Sequence, residues 1–444
     1  MVNNSLKEFV NQLHLFDTHE HIVPESFRNQ QELDFTYFLP HYLNSDLVAS
    51  GMPTDEIEAI RGPGRIFIDY LKNSIEMGDR SYPFEERIAN IHLTPLQKWE
   101  RLSPYWENCQ NTGFAKCIQI AVRDLFKIED INGDTHELLT KKLNESKRAG
   151  WYDEVLKDKT KIDLCIVDVG AIDFEQPYFH PSLRFDKFIH VKDRVALQRI
   201  EHENQRSIYN VKDLVETLKS TIEKYKKEGL IAIKTGLAYE RPLCFENESL
   251  AEAEALFNRL FTHPNASLSW QDSTLFQDYM MHQLIRASID FDLPIQIHTG
   301  FQSGNDCTIH NSDPTLLINL FRKYREARFD IFHASYPFQS ELAILAKNFP
   351  NVYANLCWMP IISPWIAEQI LHEWLEVVPV NKIFAFGGDF TIVEGVYGHA
   401  KMTRDIVTRV LTHKVEYNYF SMEKAMKYAT MLFHDNAREF YKTG

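Results

Sequence analysis

The sequence predicts an α/β fold, a (β/α)8 barrel that carries a mainly helical insertion after its first strand. From about residue 160 onward, short apolar runs bounded by Gly, Pro or Asp alternate with longer segments of helical periodicity, as is typical of a parallel sheet. With one run near the start, the candidate strands number eight, which is the number that closes a barrel. Because a length of 444 residues suits one barrel with an insertion, we expect 1–444 to form a single domain.

The candidate strands are short apolar runs of similar length. In chain order they are LHLFDTH (13–19), IDLCIVDVG (162–170), a run within FDKFIHVKDRVALQRI (185–200), LIAIKTG (230–236), PIQIHTG (294–300), FDIFHAS (329–335), NVYANLCW (351–358) and KIFAFGGD (382–389). The third run has the least regular pattern of the eight. Helices between the late strands are clearer, since the apolar Ile366, Ile370 and Trp374 fall on one helical face.

A stretch of roughly 140 residues, 22–161, separates the first two candidate strands and is much longer than a single crossover. Helical patterns recur within it, as in 55–77 and 136–156. No linker composition flanks the stretch. We therefore expect a helical cover packed over the barrel mouth rather than a detached domain.

Composition restricts the class of partner. The chain has 48 Lys and Arg against 62 Asp and Glu, and its net charge of −14 repels nucleic-acid backbones and anionic membrane surfaces. The six cysteines are scattered without a C-x-x-C pair, and no apolar run reaches the ~18 residues of a membrane span. We expect a cytoplasmic protein with a small-molecule substrate and with neither nucleic acid nor membrane as a partner. A homo-oligomer is compatible with the sequence.

The first candidate strand ends in the residues FDTHEH, which include two histidines one residue apart. In an extended chain, side chains at i and i+2 point to the same side, so His19 and His21 can converge on one metal ion. Taken alone, the pair is equally compatible with a solvated strand end. Its position favours function, because the catalytic residues of this fold lie at the C-terminal ends of the strands.

Four further metal-competent groups close apolar runs: Lys234, His298, His333 and Asp389. Each has an ordinary alternative, since a lysine can pair with an acid, a histidine can be hydrogen-bonded in the core and an aspartate can cap a helix. Together with the histidine pair, they place six such groups at the ends of five separate strands. This joint placement predicts a divalent-metal site at the C-terminal face of the barrel.

The motifs around these residues resemble those of a known superfamily. They are FDTHEH, AIKTGLAYERPL, IQIHTGFQSG, FHASYPF followed by ELAILAKNFPNVYANL, FGGDFTIVEGVYG and a closing HDNAREFY. The set resembles the amidohydrolase superfamily, in particular its amidohydrolase-2 branch of metal-dependent hydrolases. AIKTGLAYERPL with HASYPF and NFPNVYANL is most similar to the subgroup related to nodulins and to barrel domains fused to glutamine-synthetase-like proteins. The long insertion and the paired histidines are more distantly similar to uronate isomerases.

The resemblance implies a ligand set. In the two-metal pattern of the superfamily, His19, His21 and Asp389 hold one ion and two further histidines, His298 and His333, hold the other. A carbamate on the lysine of the fourth strand, Lys234, touches both ions. We expect zinc, with manganese or iron as alternatives. The rival arrangement has a single ion on His19, His21, Asp389 and one of the other two histidines, while the remaining histidine polarises the substrate.

The predicted reaction is attack of metal-activated water on a C–N or C–O bond of a small polar substrate. Asp389 is the expected general base, with His333 and His298 also catalytic. Arg241 is a candidate for binding a substrate carboxylate, although an arginine there pairs with a structural acid at least as often. Tyr239 and Trp358 are candidates for the pocket wall. The alternatives are a single-metal isomerase or non-oxidative decarboxylase, or a barrel that only binds. Three loop residues are weaker candidates for the site: His399, Glu394 and His310.

Overall fold

The computed structural model describes residues 2–39, 42–61, 93–263 and 265–443. Eight parallel strands form one sheet in sequential order, as predicted. They are β1 (Leu15–Glu20), β2 (Ile162–Val167), β3 (Phe179–Arg184), β4 (Ala232–Thr235), β5 (Ile295–Ile297), β6 (Phe329–Ile331), β7 (Val352–Asn355) and β8 (Ile383–Phe384). Backbone hydrogen bonds from Thr18 N to Phe386 O (3.3 Å) and from Asp389 N to His19 O (2.8 Å) join the last strand to the first and close the barrel.

The described helices surround this sheet. They are α1 (Val2–Gln12), α2 (Glu25–Gln30), α3 (Leu43–Ala49), α4 (Thr54–Arg61), α5 (Pro95–Cys109), α6 (Gly113–Phe126), α7 (His136–Glu145), α8 (Asp186–Ile189), α9 (Arg194–Asn204), α10 (Val211–Lys227), α11 (Leu250–Arg259), α12 (Trp270–Asp290), α13 (Ile318–Lys323), α14 (Gln339–Asn348), α15 (Met359–Ile362), α16 (Pro364–Val377), α17 (Val393–Glu416), α18 (Met422–Thr430) and α19 (Asn436–Tyr441). Over the described residues, no helix is long and apolar enough to cross a membrane.

The predicted position of the third strand is wrong. β3 lies at 179–184, upstream of the expected run, and pairs with β2 through Ile166 and His180 and with β4 through Leu183 and Ile233. The residues from 185 to 200 form α8 and the first part of α9 instead, where the Asp193 carboxylate accepts from Ala196 N at 2.8 Å and caps the helix.

The described part of the insertion is helical, with α2 to α7 and shorter helical turns at Phe35–Phe38 and Asp153–Lys159. The pattern predicted for 55–77 lies mostly outside the described residues. The insertion reaches the barrel mouth, because the Tyr42 ring lies 4.5 Å from the Trp358 ring and its hydroxyl donates to the Asp389 carbonyl. α6 packs against α17, the helix that follows β8. The opposite end of the barrel is covered by α19, whose Phe440 packs on the strands.

Candidate metal centre

His19 and His21, at the end of β1, both direct Nε2 towards Asp389. His19 Nδ1 lies 3.2 Å from Gln296 Oε1, and the orientation of that amide is fixed because its Nε2 donates to Thr18 O at 2.8 Å. His21 Nδ1 lies 2.7 Å from the carbonyl oxygen of Asp168, which can only accept. Both rings therefore carry a proton on Nδ1 and direct Nε2 towards Asp389, which is the nitrogen that would bind a metal.

Asp389 completes this cluster. Its Oδ1 lies 3.6 Å from His19 Nε2 and 3.2 Å from His21 Nε2. Ligand atoms about 2.0–2.2 Å from a tetrahedral ion are roughly 3.3–3.6 Å apart, so the spacing suits one bound ion. Among the described residues, His19 Nε2 is buried and has no hydrogen-bond partner. A buried lone pair facing a carboxylate needs a cation between them, and the donor set thus fits a divalent metal.

The backbone around Asp389 is held in a conformation that L-residues rarely adopt. Asp389 has φ 57°, in the left-handed region. On either side of it, Phe390 N donates to Glu20 Oε2 at 2.6 Å, and His399 Nδ1 lies 3.0 Å from the Gly388 carbonyl. Burial opposes ionisation of the Asp389 carboxyl, but contact with His21 and other nearby histidines outweighs burial and holds its pKa well below the usual value. Asp389 is therefore an anionic ligand.

Two residues that the sequence prediction missed join the site. Asp168 follows β2, and its Oδ2 lies 4.0 Å from His19 Nε2; it forms a metal-competent group with His19 and His21. Arg184 ends β3, and its Nε and Nη2 both lie 2.7 Å from the same Asp168 oxygen. Asp168 closes the apolar run of its strand, so the strand-end rule could have found it. Arg184 was missed because β3 was misplaced.

His298 and His333, after β5 and β6, contact each other directly. His298 Nδ1 lies 2.9 Å from His333 Nε2, while His298 Nε2 faces Phe301 O at 3.0 Å and His333 Nδ1 faces Cys357 O at 3.1 Å. Both carbonyls only accept, so the three contacts need three protons, whereas two neutral rings carry two. The contact between the rings therefore lacks a proton or a cation. Burial lowers the pKa of His333 to about 3 and that of His298 well below its usual value, so the pair is neutral at neutral pH.

Lys234 is the penultimate residue of β4 and is buried between the two clusters of histidines. Its Nζ lies 3.8 Å from the centre of the Phe332 ring, and its side chain has neither a hydrogen bond nor an ion pair within the described part of the chain. Burial lowers the pKa of Lys234 to about 8. A lysine without an acceptor is easier to bury as the neutral amine, which is also the form that reacts with carbon dioxide.

Two of the three predicted substrate residues lie at the site. The Tyr239 ring is 4.6 Å from the His298 ring, and the buried Trp358 ring is 5.2 Å from the His333 ring. Trp358 also packs on Phe301 at 5.3 Å, which makes an apolar wall beside the histidines. The thiol of Cys357, which the sequence prediction did not consider, forms a second metal-competent group with His333 and Asp389.

Arg241 does not reach the site. It is only 1% exposed, and its guanidinium pairs with Asp278 at 2.7 Å. Its other N–H groups donate to Gln277 Oε1 and to backbone carbonyls, including those of Thr274 and Cys244, so every N–H has an acceptor in the protein. The structure thus gives Arg241 the alternative role weighed from the sequence, pairing with a structural acid.

The three loop candidates differ in role. His399 lies behind Asp389 and holds the Gly388 carbonyl. Glu394 accepts from Arg28 Nη2 at 2.6 Å and joins the insertion to the barrel. His310 lies in the helical turn Ile309–Ser312, and no contact joins it to the two histidine clusters in the described ranges.

The class of protein follows from this fold and centre: a (β/α)8 barrel with metal-competent side chains at the C-terminal ends of its strands. Residues 248–443, which include β5 to β8, match the family model described as amidohydrolase. The predicted resemblance to that family is therefore confirmed over this part of the chain.

Individual relatives are distant. Protein fluG of Emericella nidulans is 28% identical over 218 residues, which are 48% of this chain and 25% of fluG. Among solved structures, glucuronate isomerase from Caulobacter crescentus is 17% identical with a TM-score of 0.75, over 100% of this chain and 94% of that one. A Lactobacillus casei protein described as a metal-dependent hydrolase is 15% identical with a TM-score of 0.65, over 99% and 97%. At these identities the structures show the fold alone.

Proposed function

We propose that this protein is a metal-dependent hydrolase in which metal-activated water attacks a C–N or C–O bond of a small polar substrate. One observation carries the proposal: His19 Nε2 and His21 Nε2 lie 3.6 and 3.2 Å from the same oxygen, Asp389 Oδ1, and the buried His19 Nε2 has no hydrogen-bond partner in the described part of the chain. A divalent ion, most readily zinc given the imidazole and carboxylate donors, supplies Lewis acidity that lowers the pKa of a water molecule and polarises a substrate oxygen. Manganese and iron are the alternatives.

A second ion would complete the hydrolytic arrangement. His298 Nδ1 and His333 Nε2 face each other at 2.9 Å, and a cation beside them would supply the positive charge that these neutral rings lack. A carbamate on Lys234 would give this position an anionic oxygen, and the pKa of about 8 leaves part of that lysine neutral near pH 7. The lack of a protein acceptor for Lys234 supports its modification.

The protein's own residues would handle the proton and the substrate. Asp389 has a second oxygen, Oδ2, 3.9 Å from His333 Nδ1, from which it can take up the proton of the attacking water and pass it to the leaving group. Trp358 and Tyr239 border the histidines and restrict access of bulk water. Tyr42, from the insertion, closes the site above Trp358.

We assign binding of a substrate anion to Arg184 in place of Arg241. Arg184 uses Nε and Nη2 on a single oxygen of Asp168, whereas its Nη1 has no partner in the described part of the chain. Its side chain is 43% exposed, and Asp168 links it to His19. The open end of the guanidinium can therefore bind a carboxylate next to the metal centre. A small carboxylated substrate is the class that fits, and no macromolecular partner is needed in the cytoplasm, where we expect the protein to act.

A second candidate, a single-metal isomerase acting on a sugar acid, is favoured by the direct contact between His298 and His333. One extra proton held between the two facing nitrogens, 2.9 Å apart, would replace the second ion and could be passed to the substrate. Metal count separates the candidates, since hydrolysis as proposed uses two ions and isomerisation uses one.

The test is metal analysis of the purified protein after dialysis against zinc-free buffer. We expect His19→Ala and His21→Ala to lose at least one ion per chain while they keep the folded far-UV circular dichroism spectrum, because strand-end ligands are additions to a packed barrel. His202→Ala is the matched control, since His202 is exposed on α9, away from the centre. Unchanged metal content in the His19→Ala, His21→Ala double variant would remove the proposal.

A further inference from the structure

A chain of buried polar side chains crosses the interior of the barrel, where apolar packing is usual. It runs from Tyr441 on α19, at the end of the barrel opposite the metal centre, through Gln296 of β5 to His19 of β1, and Asp330 of β6 accepts from the Tyr441 hydroxyl beside it. Tyr441 is 4% exposed and the other three residues are 0% exposed. Buried polar groups are costly unless every one is hydrogen-bonded, so the arrangement calls for an explanation.

Gln296 is the central member, and all its hydrogen-bonding capacity is used. Its Nε2 donates to Thr18 O and to Tyr441 Oη, each at 2.8 Å. Its Oε1 accepts from Ser182 Oγ and from His19 Nδ1, each at 3.2 Å. Two donors and two acceptor positions are therefore matched, and rotation of the amide would set Oε1 against the Thr18 carbonyl.

Tyr441 orients the Gln296 amide from the end of the barrel opposite the metal centre. Its hydroxyl donates to Asp330 Oδ2, so that the oxygen of the hydroxyl is left to accept from Gln296 Nε2. Asn355 Nδ2 also donates to Asp330 Oδ2, at 3.0 Å, which anchors the carboxylate. The direction of these bonds determines which atom of Gln296 faces His19.

We infer that Gln296, oriented by Tyr441, is a positioning residue that selects the Nδ1-protonated form of His19 and thereby presents Nε2 to the metal. The inference rests on the proposed function for the use of His19 as a ligand. In the opposite orientation, the Gln296 amide would donate to Nδ1, move the ring proton to Nε2 and block metal binding. The C-terminal helix thus acts on a ligand at the far end of the barrel through two hydrogen bonds.

The test compares the histidine tautomer and zinc affinity in the full chain. Protein labelled with ¹⁵N-histidine and stripped of metal with a chelator is examined by long-range ¹H–¹⁵N correlation, with the His19 signal assigned from His19→Gln. We expect the parent to show the Nδ1–H form and Gln296→Leu to show a mixture, with zinc affinity about 10–100-fold weaker. Tyr441→Phe, a milder variant, should weaken zinc binding in the same direction.

Tyr324→Phe is the matched control. Tyr324 is a buried tyrosine whose hydroxyl lies 2.7 Å from His282 Nδ1, and neither residue belongs to the series of polar side chains that leads to His19. We expect it to lower stability without altering the His19 tautomer or zinc affinity. The inference is overturned if Gln296→Leu and Tyr441→Phe keep the parent tautomer and affinity, or if Tyr324→Phe weakens zinc binding equally. A parent that binds no zinc contradicts the proposed function alone, since the tautomer comparison is made without metal.

Discussion

Glu394, at the start of α17, binds the insertion to the barrel through hydrogen bonds, and one substitution can test how much this contact stabilises the fold. Its carboxylate accepts from Arg28 Nη2 at 2.6 Å, from Trp151 Nε1 at 2.8 Å and from Tyr37 Oη at 3.1 Å. All three donors belong to the insertion, and the side chains of Glu394 and Arg28 are both 0% exposed. Glu394→Gln keeps the shape of the side chain but leaves the Arg28 cation without a counter-ion in the interior.

The expected loss of unfolding free energy is large because Arg28 and Glu394 are both fully buried. Breaking a buried ion pair from one side costs about 3–5 kcal/mol, against a total unfolding free energy of about 5–15 kcal/mol for a typical domain. Glu216→Gln is the control, since Glu216 contacts Arg206 at a similar 2.7 Å but the two side chains are 49% and 38% exposed. An exposed pair contributes about 0–1 kcal/mol.

The assay is urea unfolding followed by tryptophan fluorescence, together with limited proteolysis in native buffer. We expect Glu394→Gln to unfold at lower urea and to be cleaved faster in the insertion, while Glu216→Gln behaves as the parent does. The double variant Arg28→Met, Glu394→Leu should recover only part of the loss, because no charge is then left unpaired but Trp151 Nε1 and Tyr37 Oη lose their acceptor. Equal unfolding of the two single variants, or clean excision of the insertion from the parent, would refute the reasoning.

Three further predictions concern the centre itself. Asp389→Asn keeps one coordinating oxygen but loses charge and basicity, so metal should be partly retained while turnover, assayed on a substrate found among small amides, lactones and sugar acids, falls ~10²–10⁴-fold; near-parent turnover would assign the shuttle to a histidine. Because Lys234 must be neutral to react and its pKa is about 8, ¹³C-bicarbonate should give a carbamate NMR signal that grows as pH rises through that value; the same signal in Lys234→Arg would contradict it. Arg184→Met should raise KM for anionic substrates, whereas Arg241→Met should lower stability and leave KM unchanged; equal KM effects would reject the role of Arg184.

The barrel could be predicted from sequence because most of its strands lie within short, mainly apolar runs, and five of them are buried along their whole length. β3 is the exception, since Pro181 and the polar His180 and Ser182 interrupt its pattern. Its place is set by pairing with β2 and β4, a non-local contact that no window of the sequence contains. The error at β3 then hid Arg184, because a strand-end rule cannot find a residue when the strand is misplaced.

Local position was enough to indicate the ligands but not the partners of the charged side chains. Arg241 follows β4 just as a substrate-binding residue would, yet Asp278 and Gln277 of α12 take up its guanidinium. Glu394 similarly lies five positions after Asp389 and pairs with the insertion. In both cases the acceptor or donor is more than 30 residues away, and many other charged residues in the sequence were equally available.

The same argument explains why the orientation of His19 had to come from the structure. Alternation along β1 places His19 and His21 on one side, but it cannot say which ring nitrogen carries the proton. The proton is placed on Nδ1 of His19 by Gln296 Oε1 on β5, and on Nδ1 of His21 by the Asp168 carbonyl after β2. The Gln296 amide is in turn oriented by Tyr441 on α19. A strand-end histidine becomes a metal ligand only when such distant groups leave its outward nitrogen unprotonated, so a sequence motif fixes the position of a ligand while the rest of the barrel determines its chemical form.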